Sequence, residues 1–149
     1  MDSFTLKKNI FIAAKPEVIF DALTSSKEIV KYYPLQKVTS EWQVDADILF
    51  EGEIDGHPFR DHGLIEVLSR PVQFKYRYWS DNHGTERIAA NYINISYTLS
   101  PEREGTWLQL EQGNLPSEVM YQMMIPIWDA LLSSLKKFAE KQVFNVHLT

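Results

Sequence analysis

The residues that could do chemistry are polar side chains on strand positions that alternation assigns to the inside of a sheet. They are His57, Asp61, Tyr76, Tyr78, Asn91 and Tyr97. Asp61 stands apart, because it is an acid among apolar inward neighbours. Burying a bare carboxylate costs several kcal/mol, so it must be paired, protonated or wetted. Such a group can anchor the polar end of a bound molecule or serve as a general acid/base. It can equally be a structural acid near the open end of a sheet, neutralised by water, His57 or a tyrosine hydroxyl.

His57, Asp61 and His62 invite a metal site, but spacing argues against it. Residues four apart on a strand are separated by ~13 Å, and His62 points to the opposite face. Ligands of one divalent ion lie ~2.0–2.2 Å from it. His83 and His147 read as solvated loop and tail residues. No serine sits in a nucleophile elbow, no Gly-rich phosphate loop exists, and no carboxylates are paired at a set spacing. The sequence therefore calls for no metal, no cofactor and no catalytic residue.

The elements that must position these groups are legible in order. Phe4 to Ile12 reads as a strand. Pro16 suits the first turn of a short helix carrying Val18, Ile19, Phe20 and Leu23. Thr24-Ser25-Ser26 can cap a second helix, Lys27 to Tyr33, which Pro34 ends. From Trp42 to Gly113 the signal is antiparallel sheet. Val44, Ala46, Ile48, Phe50 and Ile54 alternate with acids, and Asp55-Gly56 is a two-residue hairpin turn. That turn sets a register in which Ile54 faces His57, Gly52 faces Phe59, Phe50 faces Asp61 and Ile48 faces Gly63. Arg70-Pro71 turns into Val72–Trp79, where Phe74, Tyr76 and Tyr78 share a face. Asp81 to Gly84 is loop. Ala89 to Leu99 reads as a long strand with Ile93, Ile95, Tyr97 and Leu99 inward, and a last strand carries Leu108 and Leu110. Trp79, Trp107 and Tyr92 fall on the outer face, as scattered residues or a partner patch.

After these strands the period changes. Pro116 to Phe144 places Met120, Met124, Ile127, Trp128, Leu131, Leu135 and Phe138 on one helical stripe, with Gln122, Asp129, Ser133, Lys136, Lys137 and Glu140 opposite. Pro126 sits on the polar side and predicts a bent or broken helix. A wide apolar helix face needs a wide apolar partner, here a curved sheet, and the two can enclose a cavity. Methionines 120, 123 and 124 are core residues by default, yet adaptable enough to line a variable cavity.

The whole chain is 149 residues, 44% hydrophobic and free of cysteine, enough for one ordinary domain with a full core. Disulfides and thiolate chemistry are excluded. The amino-terminal stretch alternates too much for a signal peptide, and no run approaches a membrane span, so a cytoplasmic protein is expected. Net charge is −5, and the only lysine doublets are Lys7-Lys8 and Lys136-Lys137, which read as solvated faces. Nucleic acid and anionic membrane are poor partners for such a chain.

The order β-αα-βββββ-α predicts an α+β fold, a curved antiparallel sheet of about six strands around a long carboxy-terminal helix. In that order the chain resembles the SRPBCC, or START-like, superfamily with its helix-grip fold, and within it the group named after activators of the heat-shock-protein ATPase. The residues that carry the resemblance run from Ile12-Ala13-Ala14-Lys15-Pro16 through Leu23. They continue with Asp61-His62-Gly63-Leu64-Ile65, Pro71, Phe74 to Tyr78 and Thr106 to Leu110, and end with Trp128 to Lys136. Pro126-Ile127 departs from the Gly usual before the helix Trp. The resemblance implies a hydrophobic or amphipathic small molecule held between sheet and helix. The expected ligand contacts are Phe50, Phe59, Asp61, Tyr76, Tyr78, Asn91, Met124 and Trp128. It also implies two alternatives: a co-chaperone-like module that stimulates a chaperone ATPase, or a cyclase- or dehydratase-type enzyme using the same cavity. Either a monomer or a homodimer is compatible with the sequence.

Overall fold

The structure is a computed structural model that describes residues 3–148, with side chains described through Val143. Its elements are β1 (Phe4–Ile12), α1 (Pro16–Leu23), α2 (Ser26–Tyr32), β2 (Lys37–Ser40), β3 (Asp47–Ile54), β4 (His57–Ser69), β5 (Gln73–Trp79), β6 (Ile93–Glu102), β7 (Gly105–Leu115) and α3 (Glu118–Leu148). The strands form one antiparallel sheet in the order β1-β7-β6-β5-β4-β3-β2. It curves without closing, so β1 and β2 are its edges. This is the helix-grip arrangement.

Local chemistry explains most boundaries. Pro16 occupies the first turn of α1, and the Ser25 hydroxyl caps α2 by accepting from the Glu28 N–H at 3.3 Å. Asp55 and Gly56 both take positive φ, 51° and 82°, as a type I′ turn requires. The register of β3 on β4 follows as expected: Ile54–His57, Gly52–Phe59, Phe50–Asp61 and Ile48–Gly63. The Arg70–Pro71 turn precedes β5.

Several expectations are corrected. The sheet gains β2, whose four residues carry one apolar side chain, Val38, too short a pattern to read as a strand. Val44 is exposed rather than inward. Trp42 and Asp45 take φ of 50° and 71°, which turns the chain, and regular alternation starts only at Asp47. Ile54 and His57 are exposed because the hairpin tip projects past the core. The long strand begins at Ile93, not Ala89. Residues Ala89–Asn91 form a 3-10 turn instead, because the Asn114 side chain donates to the Ala90 and Tyr92 carbonyls at 3.0 and 2.8 Å and holds the chain off the sheet.

Helix α3 buries Trp128, Leu132, Leu135 and Ala139, with Met124, Leu131 and Phe138 partly covered beside them. Ile127, expected on this stripe, lies on its flank and is 43% exposed. Pro126 sits inside one uninterrupted helix, so the break does not occur. Both Pro126 and Gln122, whose carbonyl loses its helical donor, are exposed, and water can satisfy that carbonyl.

A polar clamp fixes the helix to β1. Lys136 Nζ donates to the Phe11 carbonyl at 2.7 Å and to Glu140 Oε2 at 2.8 Å, while the Ala13 N–H donates to the same carboxylate at 2.8 Å. Lys8 pairs with Asp129 at 3.0 Å. Burial works upward on the Glu140 pKa, but these donors outweigh it and hold the carboxyl below its ordinary value.

Candidate functional site

Strand β4 outruns its neighbour. β5 ends with Trp79 opposite His62, whereas β4 runs back to His57. Phe59 and Asp61 therefore have β3 on one side and, on the other, the segment Ser80–Asn82 that follows β5. The Ser80 hydroxyl accepts from the Asn82 N–H at 3.2 Å and starts a 3-10 turn, Asp81–His83, that folds back over this gap. The excursion is pinned further along. Trp79 Nε1 and Asn91 Nδ2 both donate to the Glu86 carbonyl, at 3.1 and 3.0 Å, and the Arg87 guanidinium lies 6.0 Å from the Trp79 ring centroid.

Glycines let the inner rings close up. A Cβ on Gly52 would lie 2.5 Å from Phe59 Cζ, so the Phe59 ring occupies the space above Gly52. A Cβ on Gly63 would crowd Ile48 and Phe50 at 3.2 Å. Phe50 in turn has its centroid 5.9 Å from Tyr76 and 5.7 Å from Tyr78, and Tyr97 lies 6.1 Å from Trp128. Phe50 thus packs against Tyr76, and Trp128 against Tyr97, and all four are almost wholly buried. The Trp128 indole also donates to Gln112 Oε1 at 2.8 Å. Tyr33 and Tyr97 share a hydroxyl contact at 3.3 Å.

Asp61 is 6% exposed at the end of this aromatic row. Its Oδ2 accepts a hydrogen bond from the Tyr78 hydroxyl, and its Oδ1 is buried with no partner. Burial pushes the pKa of Tyr78 well up, and the neighbouring Asp61 charge adds to it, so Tyr78 stays a protonated donor. Burial likewise raises Tyr33, Tyr76 and Tyr97. The His83 ring centroid is 5.7 Å from that of Tyr78. Its pKa is lowered by burial, which outweighs the upward pull of Asp61.

Among the described residues the buried side-chain atoms without a partner are Asp61 Oδ1, His83 Nδ1 and Thr85 Oγ1. All lie on or beneath the 80–92 excursion, and cavities flank it. One of about 360 Å³ is lined by Glu51, Pro58, Phe59, Arg60, Asp61 and Ser80–Asn82. Another of about 280 Å³ is lined by His83, Thr85, Asn91, Ile93 and Asn114 among others. A larger one, about 690 Å³, runs from Thr39 to Leu49 with the outer-face residue His62 and with Arg87, away from the helix.

The structure thus brings Phe50, Phe59, Asp61, Tyr76 and Tyr78 together. Met124 is half-buried on α3 against the core, and Trp128 joins the row through Tyr97. Asn91 is not on the inner face; the 3-10 turn aims it at Glu86. Trp79, expected on an open outer face, is buried under the excursion, while Trp107 is exposed. His83 is not a solvated loop residue. The sequence Asp81-Asn82-His83-Gly84 announces a turn, but nothing local says that the turn folds inward, so His83, Thr85 and Ser80 escaped notice. His147 lies in the last turn of α3, where side chains are outside the described residues.

A curved open antiparallel sheet gripping a long terminal helix defines the SRPBCC-type helix-grip class. The chain belongs to the family described as activator of Hsp90 ATPase homolog 1-like protein, whose model matches residues 13–140. No curated protein matches it. Among solved structures it is similar to ChR145 from Cytophaga hutchinsonii, at 26% identity and a TM-score of 0.82 over 96% of this chain and 99% of that one. It is also similar in fold to the Aha1 dimer from Colwellia psychrerythraea, at 18% identity, a TM-score of 0.72, and 92% and 96% coverage. CalU16 from Micromonospora echinospora is similar too, at 17% identity, a TM-score of 0.70, and 97% and 80% coverage. Family and fold together support a ligand-binding or Aha1-like module in general. No helix among the described residues is long and apolar enough to cross a membrane.

Proposed function

We propose that this protein binds an amphipathic small molecule whose polar end is anchored by Asp61, with its body against Phe59 and the end of the aromatic row. The observation that carries this reading is the Asp61 carboxyl oxygen, buried and without a partner beside a cavity of about 360 Å³. An unsatisfied buried acceptor costs about 1–3 kcal/mol, more if charged, and a ligand donor would recover it. Phe50, Tyr76 and Trp128 are almost wholly buried, which supports a position at the β4 overhang over one in the middle of the sheet–helix interface. An enzymatic variant of cyclase or dehydratase type would use Asp61 and Tyr78 as its acid/base pair. A cytoplasmic setting suits the cysteine-free sequence.

Native mass spectrometry of the protein from its own host tests the reading. A retained small molecule, lost in Asp61→Asn, is the expected result. A clean unliganded mass, together with amide NMR spectra unmoved by a panel of amphipathic compounds, would overturn it.

A second reading rests on a different observation. Val119, Met123 and Ile127 lie four residues apart on α3 and are 70%, 59% and 43% exposed, an apolar strip that a protein partner or a second copy could cover. With the family membership, this favours stimulation of a heat-shock-protein ATPase through that face. ATP turnover by such a chaperone should rise on adding the protein, and Met123→Ser should abolish the rise. Unchanged turnover with the unaltered protein refutes it.

A further inference from the structure

We infer that the ligand anchored at Asp61 is a small organic cation, an amine or ammonium compound with an apolar body. The inference rests on the binding reading above and specifies its chemistry. The cavity beside Asp61 is lined by three acids, Glu51, Asp61 and Asp81, against one base, Arg60. Arg60 is paired within that lining with Glu51, at 3.6 Å, and its own side chain is 64% exposed. The remaining lining acids, Asp61 and Asp81, therefore carry the uncompensated charge of the site. Asp61 meets only a tyrosine hydroxyl through one oxygen, and the other is buried without a donor.

The surroundings complete the case. Aromatic faces attract cations, by about 0.5–1 kcal/mol when exposed and about 2 or more when desolvated. Phe59 is the aromatic ring in the lining, and Tyr78, which touches Asp61, and Phe50, 5.7 Å from the Tyr78 ring, stand behind it. Phe59 and Pro58 offer apolar cover for a short hydrocarbon body. An inorganic cation does not fit this lining: among the described residues no three His, Cys, Asp or Glu side chains are grouped so as to hold a metal ion. An anion would meet like charge on Asp61 and Asp81. An ammonium group would supply the donors Asp61 lacks and the charge the lining calls for.

Titration with benzylamine, benzyl alcohol and benzoate, followed by amide NMR, tests the inference. Benzylamine should bind at least about tenfold more tightly than benzyl alcohol, a difference of about 1.4 kcal/mol. The shifts should centre on residues 58–61 and 80–82, and benzoate should not bind. Asp61→Asn should remove the preference for the amine. Asp81→Asn, an exposed rim change, should weaken the amine severalfold at low salt, which keeps the test open if the Asp61 variant does not fold. Equal binding of amine and alcohol overturns the cation and leaves the cavity reading standing. Binding of none of the three at millimolar concentration sinks both.

Discussion

At the scale of single residues, Asp61 is where the proposed binding and stability can be told apart. Its carboxyl is buried with one oxygen on a tyrosine donor and the other without a partner, an arrangement that costs folding energy. Asn keeps an acceptor for the Tyr78 hydroxyl and removes the charge. Asp61→Asn should therefore unfold within about 1 kcal/mol of the wild type, or later, in urea, while losing the retained ligand. A loss of more than about 3 kcal/mol would mean that Asp61 is a structural acid. This residue was legible from the sequence alone, because the Asp-Gly turn fixes which residue faces Phe50. His83 was not. Its burial comes from contacts across the excursion with Tyr78, and four turn-forming residues look the same whether they fold out into water or back over a sheet.

At the scale of elements, α3 carries two opposed features. Pro126 removes a helical hydrogen bond on the exposed side, at a cost of up to about 3 kcal/mol relative to Ala. Pro126→Ala should stabilise the protein by about 1–3 kcal/mol in thermal or urea unfolding, since nothing in the packing uses the ring. The polar clamp works in the other direction. Glu140 has a lowered pKa in the folded state, so its contribution is present above its ordinary value of 4.5 and is lost as pH falls through the folded value. Glu140→Gln should cost about 0.5–1 kcal/mol at neutral pH, and the gap to wild type should close on acidification below pH 4.5. A gap that persists at low pH would show that the clamp does not act through charge. The stripe of α3, apart from Ile127, and the proline's exposed side were readable from helical phase. The 3-10 turn at Ala89–Asn91 was not, because Asn114, more than twenty residues away in sequence, sets it.

At the scale of the molecule, the order of strands and helices was the most legible level, since period, turn chemistry and caps all agreed on it. Only β2 was missed, being too short to show alternation. The place of the cavity beside Asp61 was less legible. It depends on how far β4 extends past β5, and strand ends are set by tertiary contacts rather than by pattern. The chaperone-facing reading also belongs to this scale, because it needs the exposed strip on α3 and a second protein.

The clamp of α3 onto one end of the sheet has a dynamic consequence. The helix leans chiefly on β1 and α1, while the β2–β3 end of the sheet and the Asp55-Gly56 tip have little of it against them. Opening should therefore be local and one-sided. In hydrogen–deuterium exchange the amides of β6 and β7, and those of β1 bonded to β7, should be the last to label and those of β2, β3 and the tip the first. A molecule bound at Asp61 would tie β4 to the segment after β5 and slow the labelling of that fast half, without touching the helix at all.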